Sequence, residues 1–200
     1  AMLKYSKSEM KDAFSSAAVS ASGSLKVLEN SSELKPQNAA VAAHTGLLAA
    51  AMAKAGFRGP EDVLAGKTGF LAMMAEEYDL SELEIKGGSS FRIENVYMKP
   101  HASCRHAHAA IEACLKIKKK HNVEYKKIKK VIIKTYSTII GKHDHTEIHG
   151  ISSAKMSIPF CVASVFVSGE AGIGDFNSES VNDNNILSTA RLVEVCADEE

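Results

Sequence analysis

The chain carries no excess of either charge: 24 Lys and Arg stand against 24 Asp and Glu in 200 residues. A balanced surface sets up no broad field toward polyanions, so nucleic-acid binding is not expected. Cysteine is scarce, and Cys104, Cys114, Cys161 and Cys196 stand too far apart for a C-x-x-C pair. That spacing excludes a zinc knuckle and a dithiol redox motif. The thiols read as reduced, which fits a cytoplasmic location. No apolar run reaches the ~18 residues of a bilayer span. The longest weakly polar stretch, residues 39–53, is broken by His44, Thr45 and Gly46. The start lacks the apolar h-region of a signal peptide, and Ala1-Met2 reads as a tag scar ahead of an initiator methionine. What is present is an apolar fraction of 45%, enough for one large core or two small ones.

The first part of the chain reads as helices. Residues 7–22 form one, with Ser8 able to cap it, Met10, Phe14, Ala17 and Ala18 near one face, and Gly23 as a stop. A loop over 24–35 leads to an alanine-rich helix over 36–54, with Pro36 in its first turn and Gly56 as C-cap. A turn around Gly59-Pro60, a short helix over 61–65 and another over 70–77 follow. The pattern changes near Gly87-Gly88, where a domain boundary is expected. Phe91, Ile93, Asn95 and Tyr97 alternate as in a strand. Residues 104–120 read as a helix, because Cys104, His108, Ile111 and Leu115 share one face. The β-branched run 129–138 reads as a strand, 144–153 as a polar loop and 169–177 as turns. The apolar run 158–167 fits strand or helix. A short helix over 183–190 and a strand over 191–197 close the chain. The fold class is α+β: an all-helical part over 1–82, then an α+β domain over 83–200 with a small, mainly antiparallel sheet.

The chemistry concentrates in residues 99–108, which hold Lys99, His101, Cys104, Arg105, His106 and His108. Arginine offers a planar fork that matches a carboxylate, and lysine a compact positive charge. Histidine titrates near neutrality and can move a proton. Removing a proton beside a carboxylate builds negative charge, which fixed cations stabilise. A lyase acting on a di- or tricarboxylate needs this set. The plain alternative is a strand end and a helix start with solvated basic residues. His143, His145 and His149, with Asp144 and Glu147 between them, offer a metal-site reading. His-x-His spacing suits opposite sides of a strand better than one coordination sphere, so a polar lid loop is preferred and no metal is expected. Cys104 stands at a helix start, where the dipole lowers a thiol pKa; the alternative is a half-buried, inert thiol. The lysine runs 116–120 and 126–130 read as a solvated face and a helix end, with an anion-steering module as the rival.

Several stretches, in order, resemble the MmgE/PrpD family. Members look like Lys-Pro-Tyr-Pro-x-Cys-Arg-x-x-His, and Lys99, Pro100, Cys104, Arg105 and His108 match, while His101 and Ala102 replace the tyrosine and proline. Lys35 stands ahead of Gly46 at the family's spacing, with Ala42, Ala43 and His44 in register. Gly56-Phe57-Arg58-Gly59-Pro60 resembles Gly-Phe-x-Gly-Pro, and Ala154-Lys155-Met156-Ser157-Ile158-Pro159-Phe160 resembles Ala-Lys-Phe-Ser-Leu-Pro-Tyr, with Ala163 and Gly169 following in register. The family includes 2-methylcitrate dehydratases, cis-aconitate decarboxylases and iminodisuccinate epimerases. The resemblance favours a helix after Pro159.

The resemblance implies a 2-methylcitrate dehydratase-like lyase or isomerase that abstracts a proton from a small di- or tricarboxylate without metal or cofactor. It implies that Lys35, Lys99, Cys104 and Phe160 line the substrate cleft. Lys35, Lys99 and Arg105 would hold carboxylates, and His106 or His108 would transfer the proton; Cys104 counts among the catalytic candidates. Cis-aconitate decarboxylases carry histidine at the Cys104 position and tyrosine at the Phe160 position. Phenylalanine has no hydroxyl to donate, which argues against that reaction. Family enzymes are much longer, and their N-terminal helices supply an aspartate and a histidine to the site. The chain is therefore expected to be incomplete alone. It would form a homo-oligomer or use a partner that supplies the missing helices, with no nucleic-acid or membrane partner. A truncated relative that binds a carboxylate without turnover is the alternative.

Overall fold

The computed structural model describes residues 3–29, 32–84 and 91–198. The chain divides into two compact units, one of Ala1–Gly23 and Gln37–Val96, the other of Ser24–Pro36 and Tyr97–Glu200. Among the described residues, no helix is long and apolar enough to cross a membrane.

The first unit is helical, with α1 at Lys7–Val19, most of α2 at Lys35–Lys54, and α3 at Phe70–Met74. Ser6, not Ser8, caps α1: its hydroxyl accepts from Glu9 N at 3.2 Å, and the Glu9 carboxylate accepts from Ser6 N at 2.7 Å. This reciprocal pair satisfies donors that the first helical turn leaves orphaned. The expected helix over 61–65 is replaced by turns. The Gly59-Pro60 turn is stitched to α1, since Gly59 N donates to Asp12 Oδ1 at 3.1 Å and Ser15 Oγ to the Pro60 carbonyl at 3.0 Å. Ala49 and Ala53 of α2 are buried, while Phe14, Leu47, Leu48 and Met73 stay exposed.

The second unit contains α4 (His108–His121), β1 (Val131–Thr135), α5 (Ile151–Met156), α6 (Ile158–Ser168), α7 (Asn184–Ala190) and β2 (Val193–Ala197). The ambiguous apolar run is α6, buried from Ile158 through Phe166. A helix apolar all round must be enclosed, and α4, α5, α7 and β2 pack around it. Ser157 caps its start, accepting from Phe160 N at 3.0 Å, with Pro159 in the first turn. At its end, Gly169 takes φ +98°, and Lys118 of α4 donates to the carbonyls of Val165 and Phe166 at 2.9 and 2.8 Å. One member of the lysine run is thereby a cap for a neighbouring helix.

The α+β class holds, with two corrections. The strands β1 and β2 run parallel, not antiparallel, with Val131 opposite Val193 and Ile133 opposite Val195. Their connection carries α5, α6 and α7, and a long crossover of this kind returns the chain in the same direction. Alternation at 91–97 does not make a strand: Arg92–Asn95 is a 3-10 turn, and Phe91, Ile93 and Tyr97 are exposed. The Gly87-Gly88 break lies outside the described residues.

Gly59 tests the packing of the first unit. A Cβ there would stand 2.3 Å from the Ser15 Cβ, whereas one at Gly46 in α2 meets nothing within 4 Å. Gly59→Ala is expected to destabilise by about 1–3 kcal/mol through overpacking. Gly46→Ala is expected to be neutral or stabilising by up to about 1 kcal/mol, because a helical glycine is replaced. Thermal melts of both variants check this; equal effects would contradict the packing.

Candidate functional site

The geometry begins at a corner between α5 and α6. The loop after β1 runs through Gly141, φ +78°, and is bonded to this corner along its length. The His143 carbonyl accepts from Ile158 N at 2.8 Å, and His143 Nδ1 donates to the Met156 carbonyl at 3.0 Å. The Ser157 hydroxyl donates to the His145 carbonyl at 2.5 Å, and His145 Nε2 donates to the Ser153 carbonyl at 3.2 Å. The corner is held from its other side by Glu33, whose carboxylate accepts from Ser153 N at 2.7 Å. An acidic group at a helix start suits the local dipole.

The basic stretch docks on the same corner. Cys104 N donates to the Lys155 carbonyl at 2.8 Å. A 3-10 turn, Arg105–Ala107, then leads into α4. This turn divides the candidates between two environments: Arg105 and His106 face solvent, while Ala107 and His108 are buried. The Arg105 guanidinium stacks over the Tyr97 ring at 5.3 Å, a favourable placement for a planar cation.

His106 is the hub of the solvent-side group. Its Nδ1 is hydrogen-bonded to the Tyr136 hydroxyl, and its ring lies 4.9 Å from the His143 ring. The Cys104 sulfur and a ring nitrogen from each of His106 and His143 lie within 4.8 Å of one another. Loss of water around the ring, followed by the positive charges of Lys35, Lys99 and Lys142, holds the His106 pKa below its ordinary value. Lys35, the first residue of α2, points its ammonium at the Met156 sulfur, 2.8 Å away. Lys99 Nζ lies 3.5 Å from the Ser103 carbonyl. Neither lysine, nor Lys142 or Arg105, forms an ion pair with a carboxylate among the described residues.

The other candidates point elsewhere. His108 is almost fully buried, with Nε2 3.4 Å from the Ser103 carbonyl, no partner for Nδ1 among the described residues, and its ring edge-on to His101 at 5.2 Å. Burial pushes its pKa down. His101 pairs with Glu112 at 2.7 Å. Phe160 lies wholly inside the core, its ring 6.1 Å from Phe176. Burial raises the thiols of Cys114 and Cys161 to about 11 and about 12, so both stay protonated.

The structure thus brings together Lys35, Lys99, Cys104 and His106 and buries Phe160 and His108, although Lys99 and His108 approach the same Ser103 carbonyl, at 3.5 and 3.4 Å. It separates His143, His145 and His149, since His149 is exposed and His145 is committed to Ser153. Sequence reasoning missed Tyr136 and Lys142, and it placed His143 in a polar loop. Tyr136 had one signal, its place at the end of the β-branched run; Lys142 had none.

The profile of the MmgE/PrpD N-terminal domain matches residues 1–83, and that of the MmgE/PrpD C-terminal domain matches residues 101–200. The chain belongs to the MmgE/PrpD family, a family of lyase-like enzymes acting on carboxylates. No curated protein matches it.

His143 generates a pH prediction. Burial lowers its pKa from 6.5 to about 4, so the unfolded chain binds a proton that the folded chain refuses between those values. Stability is full above pH 6.5 and falls as pH drops toward 4, by up to about 3 kcal/mol for a shift of this size. His143→Gln removes the titrating ring and is expected to flatten the loss in that window. Melting curves across pH 4–7.5 test this; parallel wild-type and variant profiles would contradict it.

Proposed function

We propose that this chain binds a small di- or tricarboxylate at the Lys35–Lys99–Lys142 group and supports proton abstraction beside a carboxylate, as in a 2-methylcitrate dehydratase-like lyase or isomerase. The observation that carries the reading is the set of cations around His106, none of which forms an ion pair with a carboxylate among the described residues. A polycarboxylate supplies the missing negative charge, and the lysines then stabilise the charge that develops when a proton leaves the adjacent carbon. The family's N-terminal and C-terminal domain profiles both match this chain, over residues 1–83 and 101–200.

His106 is the base in this reading. Its lowered pKa keeps it neutral at pH 7 and able to accept a proton, and the Tyr136 hydroxyl on Nδ1 fixes the ring. The proton passes from the substrate carbon to His106, and the leaving hydroxyl takes one from solvent or a neighbouring acid. The exposed Arg105, next to His106 in the chain and stacked on Tyr97, is a further candidate anchor for a carboxylate. A second reading, binding without turnover, draws on the burial of His108 and Phe160, which leaves few groups to act on a bound acid.

A thermal-shift titration with citrate, 2-methylcitrate, cis-aconitate and succinate tests binding. Tricarboxylates are expected to raise the melting temperature through mass action, and Lys99→Ala, at an exposed position, is expected to weaken the effect about tenfold, the loss of one charge-assisted contact. No shift with any acid would refute the carboxylate site. Exchange of the substrate's carbon-bound hydrogen in heavy water separates turnover chemistry from binding alone, and His106→Ala is expected to abolish it.

A further inference from the structure

We infer that Cys104, His106 and His143 form a binding site for a divalent metal ion of the zinc and cobalt class, completed by a fourth, anionic ligand. The three donor atoms lie within 4.8 Å of one another. Donors on one tetrahedral ion of this class stand about 3.5 Å apart, given bonds of roughly 2.3 Å to sulfur and 2.0 Å to nitrogen. His143 is buried and held by Met156, so the approach needed to bind an ion falls to the side chains of the exposed His106 and the half-buried Cys104. One thiolate with two imidazoles selects borderline ions and not calcium or magnesium, which take oxygen ligands.

The orientation of the rings supports the assignment. A carbonyl can only accept, so His143 Nδ1 carries the hydrogen that goes to Met156, and the neutral ring presents its lone pair at Nε2. A backbone carbonyl on the far ring nitrogen is the usual support behind a metal-bound imidazole. The Tyr136 hydroxyl occupies Nδ1 of His106 in the same way; when it accepts, Nε2 of His106 is also free to bind. His145 lacks this arrangement, because its Nε2 is already bonded to Ser153.

Binding forms one sulfur–metal and two nitrogen–metal bonds, and the Cys104 S–H proton leaves to solvent, so no redox partner is needed. Lys35, Lys99 and Lys142 oppose a bare dication and favour an anion as fourth ligand. His106 cannot hold the ion and accept a proton together, so metal loading and the carboxylate chemistry exclude each other at this ring. The inference stands on the three donors and not on the carboxylate reading.

Cobalt titration of the full chain, prepared without a histidine tag in chloride buffer, tests it. The wild type is expected to take up one cobalt ion per chain, with the visible bands of a four-coordinate ion and a sulfur-to-cobalt charge-transfer band. Cys104→Ser is expected to lose the charge-transfer band, and His106→Ala to weaken binding by about tenfold or more. His149→Ala is expected to change neither. His143→Gln serves as a fourth variant if circular dichroism shows it folded. No charge-transfer band in the wild type, or a spectrum unchanged in Cys104→Ser or in His106→Ala, would overturn the site. Carboxylate binding measured with chelator present reports separately on the proposed function.

Discussion

The hydrogen bond from buried His143 to the Met156 carbonyl fixes the corner on which everything at the site is assembled. It holds the loop after β1 against the turn between α5 and α6. From that corner the Lys155 carbonyl receives Cys104 N, and the Met156 sulfur meets the Lys35 ammonium. The bond is made out of reach of water, where an unpaired donor or acceptor costs about 1–3 kcal/mol. The geometry is therefore strongly specified, and segments far apart in sequence, around residues 35, 104 and 143, meet at one place.

A second consequence is electrostatic. The corner gathers lysines that form no ion pair with a carboxylate among the described residues, the nearby Glu33 being bonded to Ser153 N. Loss of water around the ring comes first, and the charges of Lys35, Lys99 and Lys142 add to it, so protonation of His106 is disfavoured although much of the residue is exposed. A neutral histidine ringed by cations is suited to an anionic reactant: the anion screens the cations, and the ring can then accept a proton. The same rings, with the Cys104 thiol within 4.8 Å of them, are the donors of the proposed metal site. The two uses differ in what neutralises the lysines.

The elements legible in the sequence were those with strong periodicity or clear punctuation. The helix ending near Lys54 and the helix ending near residue 120 carried alanine runs, caps and a consistent apolar face. The run 158–167 was legible as buried but not as helical, because a segment apolar on every side has no period; resemblance to a known family resolved it. The alternation at 91–97 misled, since Phe91, Ile93 and Tyr97 are exposed and no partner strand pairs with them among the described residues. Strand direction was illegible because it depends on how α5, α6 and α7 cross over, a property of packing and not of either strand. At the site, the ten residues from Lys99 announced themselves by composition. Tyr136, Lys142 and the inward turn of His143 did not, because each matters only through contacts made across the fold.

The protonation of His106, followed by nuclear magnetic resonance of its ring hydrogens, is where these ideas meet. In the free protein its pKa should lie below that of an exposed histidine, and saturation with citrate should raise it, because the bound anion cancels the repulsion from Lys35, Lys99 and Lys142. An ordinary pKa that citrate leaves unmoved would mean that the lysines do not act on His106 and that no polycarboxylate binds beside it.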